Sequence, residues 1–225
     1  MPIIDNTYFQ SRELFIPNNK DINAAPIGSP TVQSELDLFI EKYEREFRLN
    51  AFGVTINEEL ETALLDLPAA DQKWRDLVDG VNYTIDSKTY RWEGLKGFSK
   101  QSVIAFYVYS NYLRNDESTY TTVGVVKNDA NNAKTYSFID KYVIAWAEFI
   151  KQYQGGVKRY VDCHTGYHNY GYISRYFNLL GCDYSEERTV NSSLYQFLTD
   201  YNELDPSSFP DFDFKFYESY NRFGI

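Results

Sequence analysis

The chain has 225 residues, enough for one domain or one domain with long arms; 43% of them are hydrophobic, which provides the apolar mass for a core and excludes general disorder. Its net charge is −10 and its Lys and Arg residues form no cluster, which excludes sequence reading of DNA through a basic face, while an acidic lumen past which a duplex slides stays possible. No basic-then-apolar leader opens Met1-Pro2-Ile3-Ile4-Asp5, and no apolar run approaches the roughly 20 residues of a bilayer span, so the expectation is a soluble protein made in a cytoplasm, with no membrane partner.

In chain order, residues 1–28 read as an arm: Pro2, Pro17 and Pro26 and Asn/Asp clusters interrupt short apolar pieces such as Leu14-Phe15-Ile16. Ser29-Pro30 has the form of a helix start. Val32, Leu36, Phe39, Ile40, Tyr43 and Phe47 then recur at helical spacing, with Glu35, Asp37, Glu41, Lys42, Glu44 and Arg45 on the other face and Gly53 at the end. Thr55-Ile56-Asn57-Glu58 has capping-box spacing and opens a short helix with Leu60, Ala63, Leu64 and Leu67 that Pro68 stops. A third short helix carries Trp74, Leu77 and Val78 and closes at Gly80. Tyr83-Thr84-Ile85 and Tyr90-Arg91-Trp92 alternate around Asp86-Ser87-Lys88, which predicts a small hairpin.

A helix over 99–115 follows, so apolar at Val103, Ile104, Phe106, Tyr107 and Val108 that burial on most sides is expected. Residues 118–127 suit a strand or extended loop, and a last long helix is expected over 133–154, its stripe made of Phe138, Ile139, Tyr142, Val143, Trp146, Phe149, Ile150 and Tyr153, with Gly155-Gly156 as its stop. Residues 157–225 are rich in Tyr, Asn, Asp and Ser; one helix with Leu194, Phe197, Leu198 and Tyr201 is expected there, and the stretch from Leu204 to Phe214 with Pro206 and Pro210 is not helical. The predicted fold is therefore mainly α: a helical bundle core over 29–156 with one small β-hairpin, an extended N-terminal arm (1–28) and a Tyr-rich C-terminal extension (157–225), both ordered chiefly by contact with other chains. The 21 Tyr and 16 Phe serve either such a core or interfaces, where tyrosine buries a large ring while ordering few torsions.

Candidate chemistry is thin. Cys163-His164, His168 and Cys182 hold the residue types of a tetrahedral zinc site, but there is no CxxC pair and the adjacent Cys163 and His164 point apart; two thiols and two polar histidines in a Tyr-rich segment is the plainer reading. The same adjacency argues against a Cys163 nucleophile with a His164 base. Glu58-Glu59-Glu61 and Glu186-Glu187 read as helix-start charges, and Gly155-Gly156 lacks the spacing and the lysine of a phosphate loop. The expectation is no catalytic residue, no cofactor and no metal.

The most distinctive run is Trp92-x-Gly94-Leu95, then Ile104-Ala105-x-Tyr107-Val108-Tyr109 leading to Tyr112-Leu113-Arg114-Asn115, then Thr121-x-x-Gly124-x-Val126-Lys127, with Ala145-Trp146 beyond it. In that order these motifs, spread over residues 30–155, resemble the head–tail connector (adaptor) proteins of tailed bacteriophages, of the type found in crAss-like phages. The resemblance implies a small helical structural protein of the virion neck, made in the host bacterium. It would form a ring of about twelve copies beneath the portal protein, bordered by other neck or tail proteins, with DNA passing through without sequence-specific binding. The residues after Gly156 exceed the compact adaptor pattern, which leaves the neck layer open. Two rival readings stand beside it: a protein-binding module of a phage or host with no virion role, and an enzyme with a Cys/His site at 163–182.

Overall fold

The first long helix does not run straight. In the computed structural model, which describes residues 2–11, 13–16, 32–116, 118–121, 124–127, 138–155, 157–161, 168–172, 190–210 and 212–217, α1 (Val32–Ala63) breaks at Gly53, whose φ of 75° and ψ of −178° no helix contains. Gly53 thus ends the first segment as expected, and 54–63 form a second one directly. The expected start at Ser29-Pro30 lies outside the described residues. The break frees the carbonyl of Asn50, which accepts from the Lys215 N–H at 2.8 Å and the Tyr153 hydroxyl at 3.2 Å.

A short 3-10 turn holding Pro68 (Leu67–Ala69) leads to α2 (Gln72–Asp79), and Gly80 turns the chain into β1 (Val81–Ile85) and β2 (Lys88–Trp92). Asp86 and Ser87 have φ of 49° and 63°, the two-residue primed turn that matches strand twist; Lys88 therefore belongs to β2 rather than to the turn. Residues 190–192 extend this sheet in parallel, with Arg91 N–H donating to the Val190 carbonyl and Ser192 N–H to the Arg91 carbonyl, both at 2.8 Å.

Next come α3 (Val103–Asp116), β3 (Ser118–Thr121), β4 (Gly124–Lys127), α4 (Phe138–Tyr153), β5 (Val157–Val161), β6 (His168–Tyr172) and α5 (Leu194–Leu204). Helix α3 starts later than predicted because Ser99 and Lys100 take left-handed φ of 52° and 64° in a tight turn closed between Phe98 and Gln101; the Ser102 hydroxyl then caps the helix by accepting from Ala105 N–H at 3.0 Å. The expected residues 133–137 of α4 lie outside the described residues. The fold is mainly helical, as predicted. Among the described residues there are three separate antiparallel hairpins, β1–β2, β3–β4 and β5–β6, rather than one. Helix α5 begins with a full capping box, Ser193 and Gln196 bonding each other's backbone N–H.

The core centres on α3, where residues 102–110 are all buried, packed chiefly against α4 and α1. Its middle is an aromatic block: Phe47, Tyr107, Phe149 and Tyr153, with ring centroids 5.0–6.4 Å apart and mostly tilted or edge-on, the geometry that the ring quadrupole favours. Trp146 was expected in this core; it is only half-buried, stacked on Tyr142 and edge-on to Tyr217.

The largest correction concerns the two ends of the chain. Ile4, Phe9, Leu14 and Ile16 of the arm and Leu194, Phe197, Leu198 and Phe209 of the extension are buried in the same apolar core as α1 and α3. The described parts of both segments find partners within their own chain. The short apolar pieces of the arm lacked periodicity because they plug individual sockets instead of laying down one helical face.

Candidate functional site

The connector-motif residues are spread over several elements, most of them in a clamp after β2 and along α3. Trp92, Gly94 and Leu95 clamp the strand end of the hairpin onto the end of α2: the Trp92 indole N–H and the Leu95 N–H both donate to the Leu77 carbonyl, at 2.9 and 3.0 Å, and Lys96 N–H donates to the Val78 carbonyl at 3.0 Å. The approach is so close that Gly80 and Gly94 lie back to back. A Cβ on Gly94 would stand 2.6 Å from the backbone of Val78, Asp79 and Gly80, and one on Gly80 would meet the backbone of 92–94. Trp92 then stacks on Phe197, with centroids 5.4 Å apart, so the motif also anchors α5.

Ile104, Ala105, Tyr107, Val108 and Tyr109 are all buried along α3. Two carry hydroxyls with distinct tasks. Tyr107 donates to Glu46 at 2.6 Å, and burial first, then the nearby Tyr217 and Glu46, push its phenol well above the usual range. Tyr109 donates to the Phe15 carbonyl at 3.3 Å and so ties the arm down; burial also pushes its phenol up. Arg114 is exposed at the end of α3, where its charge partly opposes the upward push of burial on the Tyr142 hydroxyl. Gly124 and Lys127 pair with Thr121 and Ser118 in the second hairpin. The clamp residues and the buried α3 residues hold the framework together; the structure does not bring the motif residues into one pocket.

Among the weak metal candidates, Cys163, His164 and Cys182 lie outside the described residues; His168 opens β6, and its side chain lies outside them too. Among the described residues no group of three or more His, Cys, Asp or Glu is placed to hold a metal ion.

The structure does assemble a polar site that sequence reading placed on the solvent face. Glu44 is 1% exposed. Its carboxylate accepts from the backbone N–H of Ile3 at 2.8 and 3.0 Å and of Ile4 at 3.2 Å, and lies 3.7 Å from Arg48. Arg48, also buried, donates to Glu61 at 3.1 Å across the break in α1, where Asn57 donates to the same oxygen at 3.2 Å. Pro2, Glu41, Glu44, Arg45, Arg48 and Glu61 line a cavity of about 240 Å³, and the Arg48 Nε and Nη1 and the Asn57 Oδ1 atoms are buried without a hydrogen-bond partner. Burial raises the Glu44 carboxyl above its ordinary value, against the lowering effect of the arm's N–H groups and Arg48. The signal was present in the spacing: Ile40, Glu44, Phe47 and Ala51 fall at i, i+4, i+7 and i+11, on the core stripe.

A second buried polar set joins the extension to the core. Tyr83 donates to Asp200 at 2.6 Å and lies 2.6 Å from the Ser192 hydroxyl, while Tyr201 donates to Asp76 at 2.8 Å. The Gln154 side chain pairs with both backbone groups of Tyr217, at 2.8 and 2.9 Å, as a strand neighbour would.

No protein-family model matches the chain, and no curated protein or solved structure matches it. Among the described residues no helix is long and apolar enough to cross a membrane.

Proposed function

We propose that the protein is a structural component of a tailed-phage virion, a ring subunit of the head–tail connector that joins the capsid portal to the tail and lines the DNA exit path, without catalytic activity, cofactor or metal. The observation that carries this reading is the use made of the connector-like run 92–109. Its residues are absorbed into a rigid frame of clamp and central helix, onto which both the N-terminal segment and the 190–217 segment are fastened. A ring subunit requires such a stiff body together with segments that carry contacts, and head-to-tail association closes the ring. The charge of −10 without a basic cluster supports a lumen that does not hold a sliding duplex.

Cryo-microscopy of particles tests the location: the chain should occupy the neck in rotationally repeated copies on the portal, and its presence in the shell, or its absence from particles, overturns the proposal. The purified protein should show no duplex binding at moderate salt, and a tight, salt-sensitive complex overturns the electrostatic part separately. A protein-binding module without a virion role is the second reading. It is favoured by large exposed apolar side chains at Phe98 (74%) and, on α4, at Val143 and Ile144; the same particle experiment separates the two.

A further inference from the structure

The cavity beside the break in α1 carries more polar chemistry than packing needs. Its wall holds three carboxylates, Glu41, Glu44 and Glu61, and two guanidinium groups, Arg45 and Arg48, with the Pro2 ring beside them, around a space of about 240 Å³. That is room for about eight water molecules at ~30 Å³ each, or for one small organic molecule.

These groups are not equivalent. Glu44 is committed, since both its oxygens accept from the backbone N–H groups of Ile3 and Ile4. The Glu61 Oε1 atom is committed too, accepting from Arg48 Nη2 and from Asn57. Arg48 is 5% exposed, and beyond that one bond its Nε and Nη1 are buried without a hydrogen-bond partner. The Glu44 carboxylate stands 3.7 Å from Nη1, close enough for an ion pair and too far for a hydrogen bond. Unserved donors on a buried cation are the costly kind. Glu41 and Arg45 are exposed, one helical turn apart, and neither has a hydrogen bond or ion pair among the described residues. The cavity therefore offers N–H donors at its buried base and a carboxylate acceptor at its mouth.

The donors and acceptors on offer select the occupant. An oxyanion would satisfy Arg48 but lie among carboxylates that outnumber the guanidinium groups. An ammonium group would suit Glu41 but turn its own donors toward Arg48. An ether or ketone oxygen only accepts, and leaves Glu41 unserved. A hydroxyl both accepts and donates, and hydroxyls on adjacent carbons can do so toward base and mouth at once. We propose that this cavity is a binding site for a small neutral polyol of monosaccharide size, whose hydroxyl oxygens accept from Arg48 Nε and Nη1 and whose hydroxyl groups donate to Glu41 and to Glu61 Oε2. The bound molecule joins three parts of the chain: Arg48 before the break at Gly53, Glu61 after it, and Pro2 of the arm. The inference stands apart from the ring reading.

The test titrates the full-length protein with D-glucose, D-galactose and myo-inositol to about 100 mM, followed by saturation-transfer NMR. A dissociation constant of ~1–10 mM is expected for a ligand of this size held by a few charge-assisted hydrogen bonds. Sugars also stabilise proteins by exclusion from their surface, so a saturable signal is the readout and a rise in Tm is not. At least one of the three should saturate, and the charged counterparts gluconate and glucosamine should bind at least about tenfold more weakly. Arg48→Lys keeps a cation between Glu44 and Glu61 but removes the guanidinium fork, and should weaken binding about tenfold or more. Glu41→Ala, at an exposed position that leaves the fold intact, should weaken it about threefold or more, and decides the matter alone if Arg48→Lys does not fold. No saturable binding of any of the three neutral polyols means that the cavity takes water only, and overturns the proposal. Tighter binding of gluconate or glucosamine overturns the choice of a neutral polyol, and affinity unchanged in the folded variants overturns the site.

Discussion

Substituting Gly94 with alanine should be far more damaging than its size suggests. The backbone there has φ of 82°, and placing an L side chain in that region costs about 1–2 kcal/mol. The new Cβ would sit 2.6 Å from three backbone atoms of residues 78–80, none of which can rotate away. The strand end must therefore separate from α2, which strains or breaks three hydrogen bonds: Trp92 indole to Leu77, Leu95 to Leu77, and Lys96 to Val78. At ~1 kcal/mol each these add ~3 kcal/mol, for a total of ~4–5 kcal/mol. In a domain of this size that corresponds to a fall in Tm of ~10–15 °C. Gly155→Ala is the matched control: its φ is 64°, but its nearest neighbour is one side-chain atom, the Ser193 hydroxyl that caps α5, at 3.0 Å, so the backbone strain plus a disturbed cap, ~2–3 kcal/mol, is expected. Thermal and urea unfolding followed by circular dichroism would measure both. If Gly94→Ala destabilises no more than Gly155→Ala, the close backbone approach does not hold the strand end onto α2.

Phe149→Ala, at the fully buried centre of the aromatic block, should cost ~3–5 kcal/mol, and Trp146→Ala, on the half-buried flank, clearly less; urea unfolding giving the reverse order would refute the packing described. Burial raises the folded-state pKa of Glu44 above its unfolded value, so its contribution to stability is complete below the unfolded carboxylate pKa and is lost as pH rises through the raised folded one. Glu44→Gln should therefore gain stability relative to the parent on going from acid to neutral pH, and a parallel pH profile for the two proteins excludes this. Tyr83→Phe removes the shared partner of Ser192 and Asp200 and should cost ~1–3 kcal/mol, loosening 190–210 so that limited proteolysis cuts there sooner than in the parent; unchanged protection would show that the buried hydroxyl is dispensable.

Local rules on the chain alone sufficed for the helices and the first hairpin. Periodicity located the apolar stripes of α1, α3, α4 and α5, and glycine and proline marked Gly53, Pro68 and Gly80 as punctuation, because backbone sterics act over a few residues and leave their mark in composition. Three things depended on tertiary contacts. Glu44 lies on the core stripe by its spacing, but its partners come from tertiary structure alone: nothing nearby in sequence reveals that the arm's Ile3 and Ile4 bring their N–H groups to it from forty residues away. Trp146 lies on the apolar stripe of α4 but at its edge, and the distant Tyr217 contributes to how much of it is covered beyond its own-helix neighbours Tyr142 and Phe149. The arm and the 190–217 segment looked dependent on other chains because neither carries a periodic face; their burial is set by single side chains entering sockets that α1, α2 and α3 form only once packed, and contacts of that range are fixed by how helices approach each other, which no short window of sequence encodes.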